Sequence, residues 1–546
     1  LSQRFFDGME ALYERVLEWA LLHRRLVVGA VAVSFVGSLF LVAAPYFGLK
    51  PLIGSEFFPS SDESQFRVNL KASVGTRVEE TERLVRGMES IIRANLKPDE
   101  IRTIVANVGI PQGRSAVFTT NTGPHSATVQ VYLATADKRQ RTDREIVNAL
   151  RPKFAGQFPG TTYRFVTGGI VSRVINFGSE TAIEAEVLGY DLPTGEALGR
   201  EVARIMQATE GVADVNISRD VNYPQFEVKV DRQKAAAAGL SQRDIAQAAL
   251  FSLNSNSSVN PSIFTDPRTG NQYNLVVQLD EPYRQTPDDL GRLFVTVNDR
   301  PVLLSTVAEI AKSTGPVEIE RKYQQRIVRV AANAVGRDLG SLSEELEAKF
   351  RQLPLPAGFS IRLGGQTEQQ REAFGSLYFT SLLALILVYM VMASQFRSLK
   401  DPFTIMFSVP MGLIGVFWAL YLTNTTLSTT SFMGIIMMVG IVVSNGVLLV
   451  EYINERRRHG EPLLQAVPRA GRIRLRPILM TTLTTVVGLL PMALAFGVGT
   501  EANQPLAIAV IGGLLVSTFF TLVLIPTLYV MFEEWFPRKI VAPEDA

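Results

Sequence analysis

Between Pro402 and Val450 the sequence contains no charged residue, and this run restricts the possible folds more than any other feature. A transmembrane helix needs about 20 predominantly apolar residues. The run is long enough for two such helices, and the polar stretch TNTTLSTT at Thr423 to Thr430 predicts the turn between them. We therefore predict two adjacent spans, the second of which covers Phe432 to Val450.

An arginine-rich stretch follows this second span and indicates which of its ends is cytoplasmic. Short loops rich in Lys and Arg lie on the cytoplasmic side of a membrane. The stretch from Glu451 to Pro477 contains Arg456, Arg457, Arg458, Arg469, Arg472, Arg474 and Arg476. The second span is therefore predicted to enter the cytoplasm, and this fixes the orientation of the other spans.

Six apolar runs of membrane length account for the hydrophobic pattern. They cover residues 26–49, 373–396, 402–422, 432–450, 477–499 and 506–532. The first run is longer than the apolar core of a signal peptide, so we predict a permanent span. Basic residues flank the predicted cytoplasmic ends, which places both ends of the chain in the cytoplasm and residues 50–371 outside.

Residues 5–20 have the spacing of an amphipathic helix, which we expect to lie on the membrane surface. Its predicted apolar side consists of Phe5, Met9, Leu12, Tyr13, Val16 and Ala20.

Residues 50–371 alternate between short strand and helix patterns. From Phe66 to Thr167 the predicted order is βαββαβ, the ferredoxin-like order. A βαβ run from Ala182 to Arg219 finds its apparent other half only from Arg326 to Gly365, which predicts one ferredoxin-like fold interrupted by an insertion. The polar stretch LNSNSSVNPSIFTDPRTGNQ of this insertion is either a projecting docking element or an unstructured surface loop.

The predicted fold class is a membrane α-helical protein with six transmembrane helices plus an α+β domain of ferredoxin-like units with an inserted docking module. The predicted boundaries are 1–25 for the interfacial helix, 26–49 for the first span, 50–172 for the first ferredoxin-like unit, 173–222 and 319–371 for the two parts of the second, 223–318 for the insertion, and 372–546 for five spans and a tail.

Polar residues lie within two of the predicted spans. Ser444 and Asn445 are inside the span that ends at Val450, and Thr481, Thr484 and Thr485 lie at a comparable depth in the next one. Such residues either join helices by packing and hydrogen bonds or mark an ion or proton path. Composition leaves both interpretations open.

Composition argues against several other functions. The 54 Lys and Arg residues are balanced by 52 Asp and Glu, so the basic excess of a nucleic-acid-binding protein is absent. The sequence has no cysteine, its three histidines are far apart, and it lacks HExxH, GxSxG and GxxxxGK[ST] motifs. We therefore expect neither an enzyme, nor a metal site, nor nucleic-acid binding.

Longer strings along the chain resemble the C-terminal half of a drug-type resistance-nodulation-division (RND) efflux permease. They are FFPSSDESQFRVNLKASVGT, FEVKVDRQKAAAAGLSQRDI, PVLLSTVAEI, LGGQTEQQREAF, GIVVSNGVLLVEY and RLRPILMTTLTTVVGLLPMALAFGVG. The resemblance covers essentially the whole chain. It implies a multidrug exporter of the inner membrane that is driven by the proton gradient and needs no cofactor. It also implies a homotrimer with a missing N-terminal half, a periplasmic adaptor protein, an outer-membrane channel and small-molecule substrates.

The resemblance also assigns candidate site residues. Asn445, Arg474 and Thr481 match positions near the proton relay, whereas Ser444 stands where drug-type pumps usually have a lysine. The loop at the border of the drug pocket corresponds to Gly109, Pro111, Gly113, Arg114 and Phe118, although an ordinary surface turn is an alternative. The docking candidates are Asn254, Asn256 and Asn260.

Two functions outside drug transport compete with this interpretation. A six-span protein-translocation accessory would have a shorter outer domain without the docking insertion. A membrane-anchored binding or sensor protein would use the polar residues of the spans for packing alone.

Overall fold

The computed structural model describes residues 2–44, 51–59, 61–110, 121, 123–175, 181–217, 222–255, 262–297, 300–497 and 499–537. Contacts divide the chain into two compact units. One consists of Leu1–Ala72, Arg77–Ser218 and Glu320–Ala546, and the other of Ser73–Thr76 and Arg219–Ile319.

Two helices open the chain, α1 (Ser2–Leu22) and α2 (Arg24–Ala43). The helix α1 buries Tyr13, Leu17 and Leu21 in a cluster with residues of the later membrane helices. Leu12 and Val16 of the predicted apolar side are 62% and 38% exposed on this chain, so they do not pack against its other helices. Tertiary packing selects the i, i+4, i+8 stripe that fits its neighbours, and the remaining apolar residues stay outside.

The first ferredoxin-like unit is an antiparallel sheet covered by two helices. Its elements are β1 (Gln65–Lys71), α3 (Val78–Asn95), β2 (Ile101–Val108), β3 (Ser126–Leu133), α4 (Asp143–Phe154) and β4 (Thr162–Thr167). The strand order is β2-β3-β1-β4. Alternate residues Phe66, Val68 and Leu70 of β1 are buried against the helices, because the side-chain period of a strand is two.

The first half of the second ferredoxin-like unit follows. It is formed by β5 (Ile183–Gly189), α6 (Leu192–Gln207) and β6 (Val212–Ile217), after the short helix α5 (Ile170–Ile175). Asp191 accepts a hydrogen bond from the backbone N–H of Thr194 and so caps α6.

The insertion is the second compact unit. It contains β7 (Tyr223–Val230), α7 (Arg232–Ala237), α8 (Gln242–Asn254), β8 (Ser262–Thr265), β9 (Gln272–Leu275), α9 (Pro287–Gly291), β10 (Phe294–Val297), β11 (Arg300–Leu303), α10 (Leu304–Val307) and β12 (Ala308–Gly315). Its first and last strands, β7 and β12, pair antiparallel, so the insertion begins and ends side by side. Strands β8 and β9 form a hairpin, and part of the polar stretch is therefore ordered as sheet.

The second ferredoxin-like unit is completed after the insertion. Its remaining elements are β13 (Arg321–Lys322), β14 (Gln325–Ala334), α11 (Leu339–Phe350) and β15 (Ser360–Gly364). The order β6-β14-β5-β15 places β14 and β5 at the centre and repeats the order of the first unit. Gly365, with a φ of 63°, then turns the chain from β15 into the membrane part.

The membrane part continues with α12 (Gln366–Phe396), α13 (Lys400–Met406), α14 (Ser408–Leu422), α15 (Thr429–Arg458), α16 (Leu463–Ala493) and α17 (Gln504–Trp535). Together with α2, this gives six candidate spans among the described residues, α13 and α14 counting as one. The predicted fold class is therefore confirmed.

The fifth span differs from the prediction. Its helix α16 begins at Leu463, and the basic string RAGRIRLRP forms its early turns instead of a loop. It ends at Ala493, before the predicted end at Gly499. Arginine is a good helix former, and the charge pattern that marks the cytoplasmic side does not mark where the helix begins.

Small residues set the packing at the centre of the membrane part. A Cβ on Gly415 of α14 would lie 2.2 Å from the carbonyl oxygen of Gly512 in α17, so these two helices approach closely. A Cβ on Gly446, Gly512 or Gly513 would also lie less than 3 Å from an atom of another helix, whereas a Cβ on Gly440 or Gly488 would have no described neighbour within 4 Å.

Candidate proton relay and substrate cleft

The four predicted relay residues lie on the neighbouring helices α15 and α16. On α16, Arg474 and Thr481 are seven residues apart and so share one face of the helix. On α15, the side chain of Asn445 is buried while Ser444 is exposed. Thr481 is also exposed on the surface of this chain. Ser444 and Thr481 are therefore both accessible to another helix.

Among the described residues, no hydrogen bond joins the predicted polar residues of α15 to those of α16. The Thr481 hydroxyl donates to the carbonyl of Ile478 at 2.9 Å, and the Thr485 hydroxyl donates to the carbonyl of Thr481 at 2.9 Å. A helix-to-helix contact is instead formed by Thr482 and Thr518, whose hydroxyls are 3.0 Å apart and buried. Sequence reasoning missed this pair.

Arg474 lies against an aromatic ring. Its guanidinium carbon is 4.7 Å from the centroid of the Tyr452 ring. Its Nε is buried without a hydrogen-bond partner, and no carboxylate of the described residues lies within ion-pair distance of it. The cation is therefore stabilised by the ring face and is free to pair with an anion from outside this chain.

A buried polar network occupies the cytoplasmic ends of three helices. Asn454 donates to Asp401 at 3.1 Å and accepts from the Tyr529 hydroxyl at 2.6 Å. Arg457 donates to the Tyr529 hydroxyl at 3.0 Å and pairs with Glu533 at 3.0 Å. These residues join α13, α15 and α17.

Ionisable residues lie just beyond the cytoplasmic ends of the predicted spans, within helices that are longer than those spans. Asp401 and Glu533 are 3% and 6% exposed, and Arg474 lies within the long helix α16. The available signal was that Asp401 directly precedes the uncharged run and that Asn454 continues the same helix beyond Val450. A hydropathy window hides both, because it averages over neighbouring residues.

A cleft with a volume of about 890 Å³ separates the two ferredoxin-like units above the membrane part. The first unit contributes residues around Arg144, Arg151 and Phe165, and the second contributes residues around Glu210 and Asp338. Cavities of roughly 300–1,000 Å³ hold drug-sized molecules. Sequence reasoning missed this cleft, because its walls come from distant segments of the chain.

The wall of the cleft includes a junction with the membrane helices. The amide of Leu427, in the turn before α15, donates to the carbonyl of Gly54 at 2.8 Å, and the amide of Glu56 donates to the carbonyl of Leu427 at 3.1 Å. On the other side, Ser55 N–H donates to the Asp338 carboxylate at 3.2 Å, and Gly340 N–H donates to the carbonyl of Ser55 at 3.1 Å. We call residues 54–57 the junction segment.

Glu56 of the junction segment accepts a hydrogen bond from the Thr426 hydroxyl. Burial raises the pKa of Glu56, while the Thr426 hydrogen bond and the charge of Arg144 act in the opposite direction. The cleft therefore holds a carboxyl group that takes up a proton more readily than an exposed glutamate does.

The predicted pocket loop begins at Gly109, directly after β2. Gly109 has a φ of 79°, and its carbonyl accepts from the Asn121 side chain at 3.0 Å. A cavity of about 340 Å³ lies nearby between α3 and β2, lined by Val78 and Val108 among others. Pro111, Gly113, Arg114 and Phe118 lie outside the described residues.

Of the docking candidates, Asn254 is the last residue of α8. Asn256 and Asn260 lie outside the described residues. The hairpin of β8 and β9 follows them, and its residues Phe264 and Tyr273 face each other with 56% and 54% of their surfaces exposed. The hairpin therefore presents an exposed apolar pair, and its role in docking stays a prediction.

Comparison with known proteins gives consistent matches over the whole chain. The model of the AcrB/AcrD/AcrF family matches residues 1–533. The cobalt-zinc-cadmium resistance protein CzcA of Cupriavidus metallidurans is 30% identical over 526 residues, which are 95% of this chain and 48% of that protein. The multidrug resistance protein MdtC of Escherichia coli O7:K1 is 27% identical over 546 residues, which are 100% of this chain and 50% of that protein.

A solved structure has a similar fold. The crystal structure of a heavy metal efflux pump matches with a TM-score of 0.76 and 26% identity, covering 97% of this chain and 52% of that one. The chain thus spans about half the length of the relatives it matches.

Proposed function

Because the chain belongs to the AcrB/AcrD/AcrF family of RND permeases, we propose that it is the C-terminal half of a proton-driven exporter of small organic compounds. It is an inner-membrane protein with six spans and a large periplasmic domain. Family membership favours transport over the translocation accessory and over the membrane-anchored sensor.

The chemistry of the cleft supports an organic substrate. Soft metal ions are bound by thiolate, thioether and imidazole groups. The sequence has no cysteine, and the only methionines between Lys50 and Arg371, Met88 and Met206, are fully buried in hydrophobic cores. The described lining of the cleft contains neither Met nor His and is large enough for a drug-sized molecule. The lack of Met and His in the described lining of the cleft is the main support for an organic substrate.

Heavy-metal export is the second candidate, because CzcA and the heavy metal efflux pump are both relatives. A metal carried through the cleft would need ligands from its carboxylates. Asp338 already accepts from the N–H groups of Ser55 and Ser341. Glu56 accepts from Thr426. Glu210 is the third carboxylate of the described lining, and a single unengaged carboxylate is a poor site for a soft metal ion, so the organic substrate class is favoured.

Proton coupling is proposed for the complete protein. Arg474 is a partly buried cation without a carboxylate partner among the described residues. Asn445 and Thr481 lie on the same two helices, and Ser444 and Thr481 are exposed on this chain. A buried carboxylate pair of the missing N-terminal half would fit opposite this cluster and titrate as protons move.

Assembly is the third part of the proposal. We expect a homotrimer that works with a periplasmic adaptor protein and an outer-membrane channel. The exposed apolar residues of the β8–β9 hairpin support contacts with another copy of the chain, since apolar surface of this kind favours burial.

The test is export by the full-length protein in bacterial cells that lack other efflux pumps. We expect faster efflux of a lipophilic cationic dye, abolished by a protonophore and strongly lowered, to a small residual rate, by Arg474→Ala, and no gain in resistance to Co²⁺, Zn²⁺ or Cd²⁺. Metal resistance without dye efflux would overturn the organic substrate class. Dye efflux that survives the protonophore would overturn proton coupling.

A further inference from the structure

The ring of Tyr452 lies beside two guanidinium groups. Arg456, one turn further along α15, has its guanidinium carbon 5.4 Å from the ring centroid and donates to the Tyr452 hydroxyl at 3.1 Å. Arg474 of α16 is closer, at 4.7 Å from the same centroid. A short turn joins the two helices, so Tyr452 and Arg474 meet near their cytoplasmic ends.

The two arginines differ in their counter-charges. Arg456 pairs with Glu461 at 2.8 Å, and Glu461 also lies 3.6 Å from Arg469. The neighbouring Arg472 pairs with Glu10 and Glu14 of α1 at 3.4 and 3.2 Å. Arg474 has no such carboxylate among the described residues, and its Nε is buried without a hydrogen bond. The ring of Tyr452 is thus its main electrostatic contact within the described part of this chain.

Tyr452 is itself held in place. It is half-buried and packs against the hydrophobic cluster that contains Val450, Ile453 and Leu475. A ring fixed in this way restricts the rotamers of a long arginine side chain that lies on its face. The guanidinium is therefore held at a defined height on α16, two turns from Thr481.

We propose that Tyr452 is a positioning residue for Arg474, whose ring face holds the guanidinium ready for an anion supplied from outside this chain. This inference rests on the proposed function, in which Arg474 belongs to the proton relay. Tyr452 itself does not exchange protons with the relay. Its aromatic face, and not its hydroxyl, carries the role.

The test compares Tyr452→Phe with Tyr452→Leu in the full-length protein reconstituted in liposomes with an imposed proton gradient. Phenylalanine keeps the aromatic face and removes only the hydroxyl that bonds Arg456. We expect Tyr452→Phe to transport within about twofold of the unchanged protein. We expect Tyr452→Leu to lower the maximal rate by about fivefold or more, with the KM for the dye unchanged.

A double-mutant cycle distinguishes positioning from a general loss of structure. In an Arg474→Ala background, Tyr452→Leu should change the residual rate by less than about twofold, because the residue to be positioned is gone. The thermal midpoint of each variant is measured beside the rate. If Tyr452→Leu does not fold, Tyr452→Met replaces it as the non-aromatic variant, with the same expected loss.

Equal rates for the Phe and Leu variants would overturn the positioning role, whether both are active or both inactive. Additive losses in the double mutant would also overturn it. Full transport by Arg474→Ala alone would instead overturn the relay role of Arg474, and with it the proposed coupling. The transport rate of Arg474→Ala alone therefore tests the proposed coupling, whereas the Tyr452 variants test the positioning role.

Discussion

At the scale of single residues, Asp143 has the least favourable environment among the carboxylates of the first ferredoxin-like unit. It is the first residue of α4, it is 2% exposed, and its Oδ2 is buried without a described hydrogen-bond partner. Burial raises the pKa of Asp143 to about 7, and the charge of Asp62 adds to this, while Arg144 and Arg139 oppose it. The folded state therefore holds a proton that the unfolded chain releases near its ordinary pKa of 3.8.

This raised pKa predicts how stability depends on pH. The contribution of Asp143 is fully present below about pH 4 and is lost as pH rises through about 7, amounting to roughly 2–4 kcal/mol. Asp143→Asn should remove this dependence and raise the thermal midpoint of the periplasmic domain at pH 8. Calorimetry of the purified protein between pH 5 and 8 measures it, with the exposed Asp99→Asn as control. An unchanged pH slope in the Asp143 variant would contradict the prediction.

The relay residues give a second prediction at this scale. Thr481→Ala and Asn445→Ala should each reduce dye efflux without reducing expression, since they remove polar groups at the proposed proton path. Ser444→Lys should move the pH optimum of efflux downward, because an added cation favours the ionised form of nearby carboxylates. Thr482→Ala, which breaks the buried Thr482–Thr518 contact, is a control for helix packing. Full activity in both alanine variants with an unmoved optimum for the lysine variant would leave packing as the role of the cluster.

At the scale of structural elements, the junction segment connects the membrane helices to α11. A Cβ on Gly54 would lie 2.7 Å from the Cβ of Asp338, closer than packed atoms allow. Gly54→Ala should therefore destabilise the protein by roughly 1–3 kcal/mol and slow transport. Thermal unfolding and dye efflux measure the two effects. Gly375→Ala, at a glycine with no neighbour within 4 Å of the added carbon, should change neither. Equal behaviour of the two variants would argue against a tight junction.

The β8–β9 hairpin gives a second prediction for an element. Phe264→Ser together with Tyr273→Ser should weaken the proposed trimer and leave the insertion folded, since the hairpin lies outside its hydrophobic core. Crosslinking and native mass spectrometry measure assembly, and the adjacent pair Thr265→Ser with Gln272→Ser is the control. Point variants are preferable to deleting 254–271, because Ser255 is buried and its hydroxyl accepts from Val277 N–H at 2.9 Å. Unchanged assembly of the aromatic variant would exclude the hairpin as a docking arm.

At the scale of the whole molecule, the proposed function predicts that this chain, which spans about half the length of its relatives, does not transport alone. The described ionisable residues of the membrane helices lie near the helix ends, and at the cytoplasmic ends the buried Asp401 and Glu533 are already engaged with Asn454 and Arg457. Proton coupling needs a group that titrates within the membrane. Cells that express only residues 1–546 should show no efflux that depends on the proton gradient, whereas the full-length protein should. Gradient-dependent efflux by this chain alone would contradict the prediction.

The comparison between sequence and structure follows the same division by scale. The number of spans, their orientation and the order of strands and helices could be predicted, because they depend on local periodicity and on the charge of short segments. The interrupted second ferredoxin-like unit could also be predicted from the sequence, since each of its halves has its own strand and helix pattern. The start of helix α16 could not be predicted, because the charge of a segment indicates its side of the membrane but not where a helix begins.

The sites depended on tertiary structure. The sequence by itself determined a six-span chain of RND type with Arg474 and Thr481 on one helix face, because a helix fixes the spacing of its own residues. Only the tertiary structure decided that Tyr452 covers Arg474, that Asp401 reaches Asn454, and that a cleft lies between the two ferredoxin-like units. These contacts join segments far apart in the chain, and their existence depends on how side chains from different elements fill the space between them.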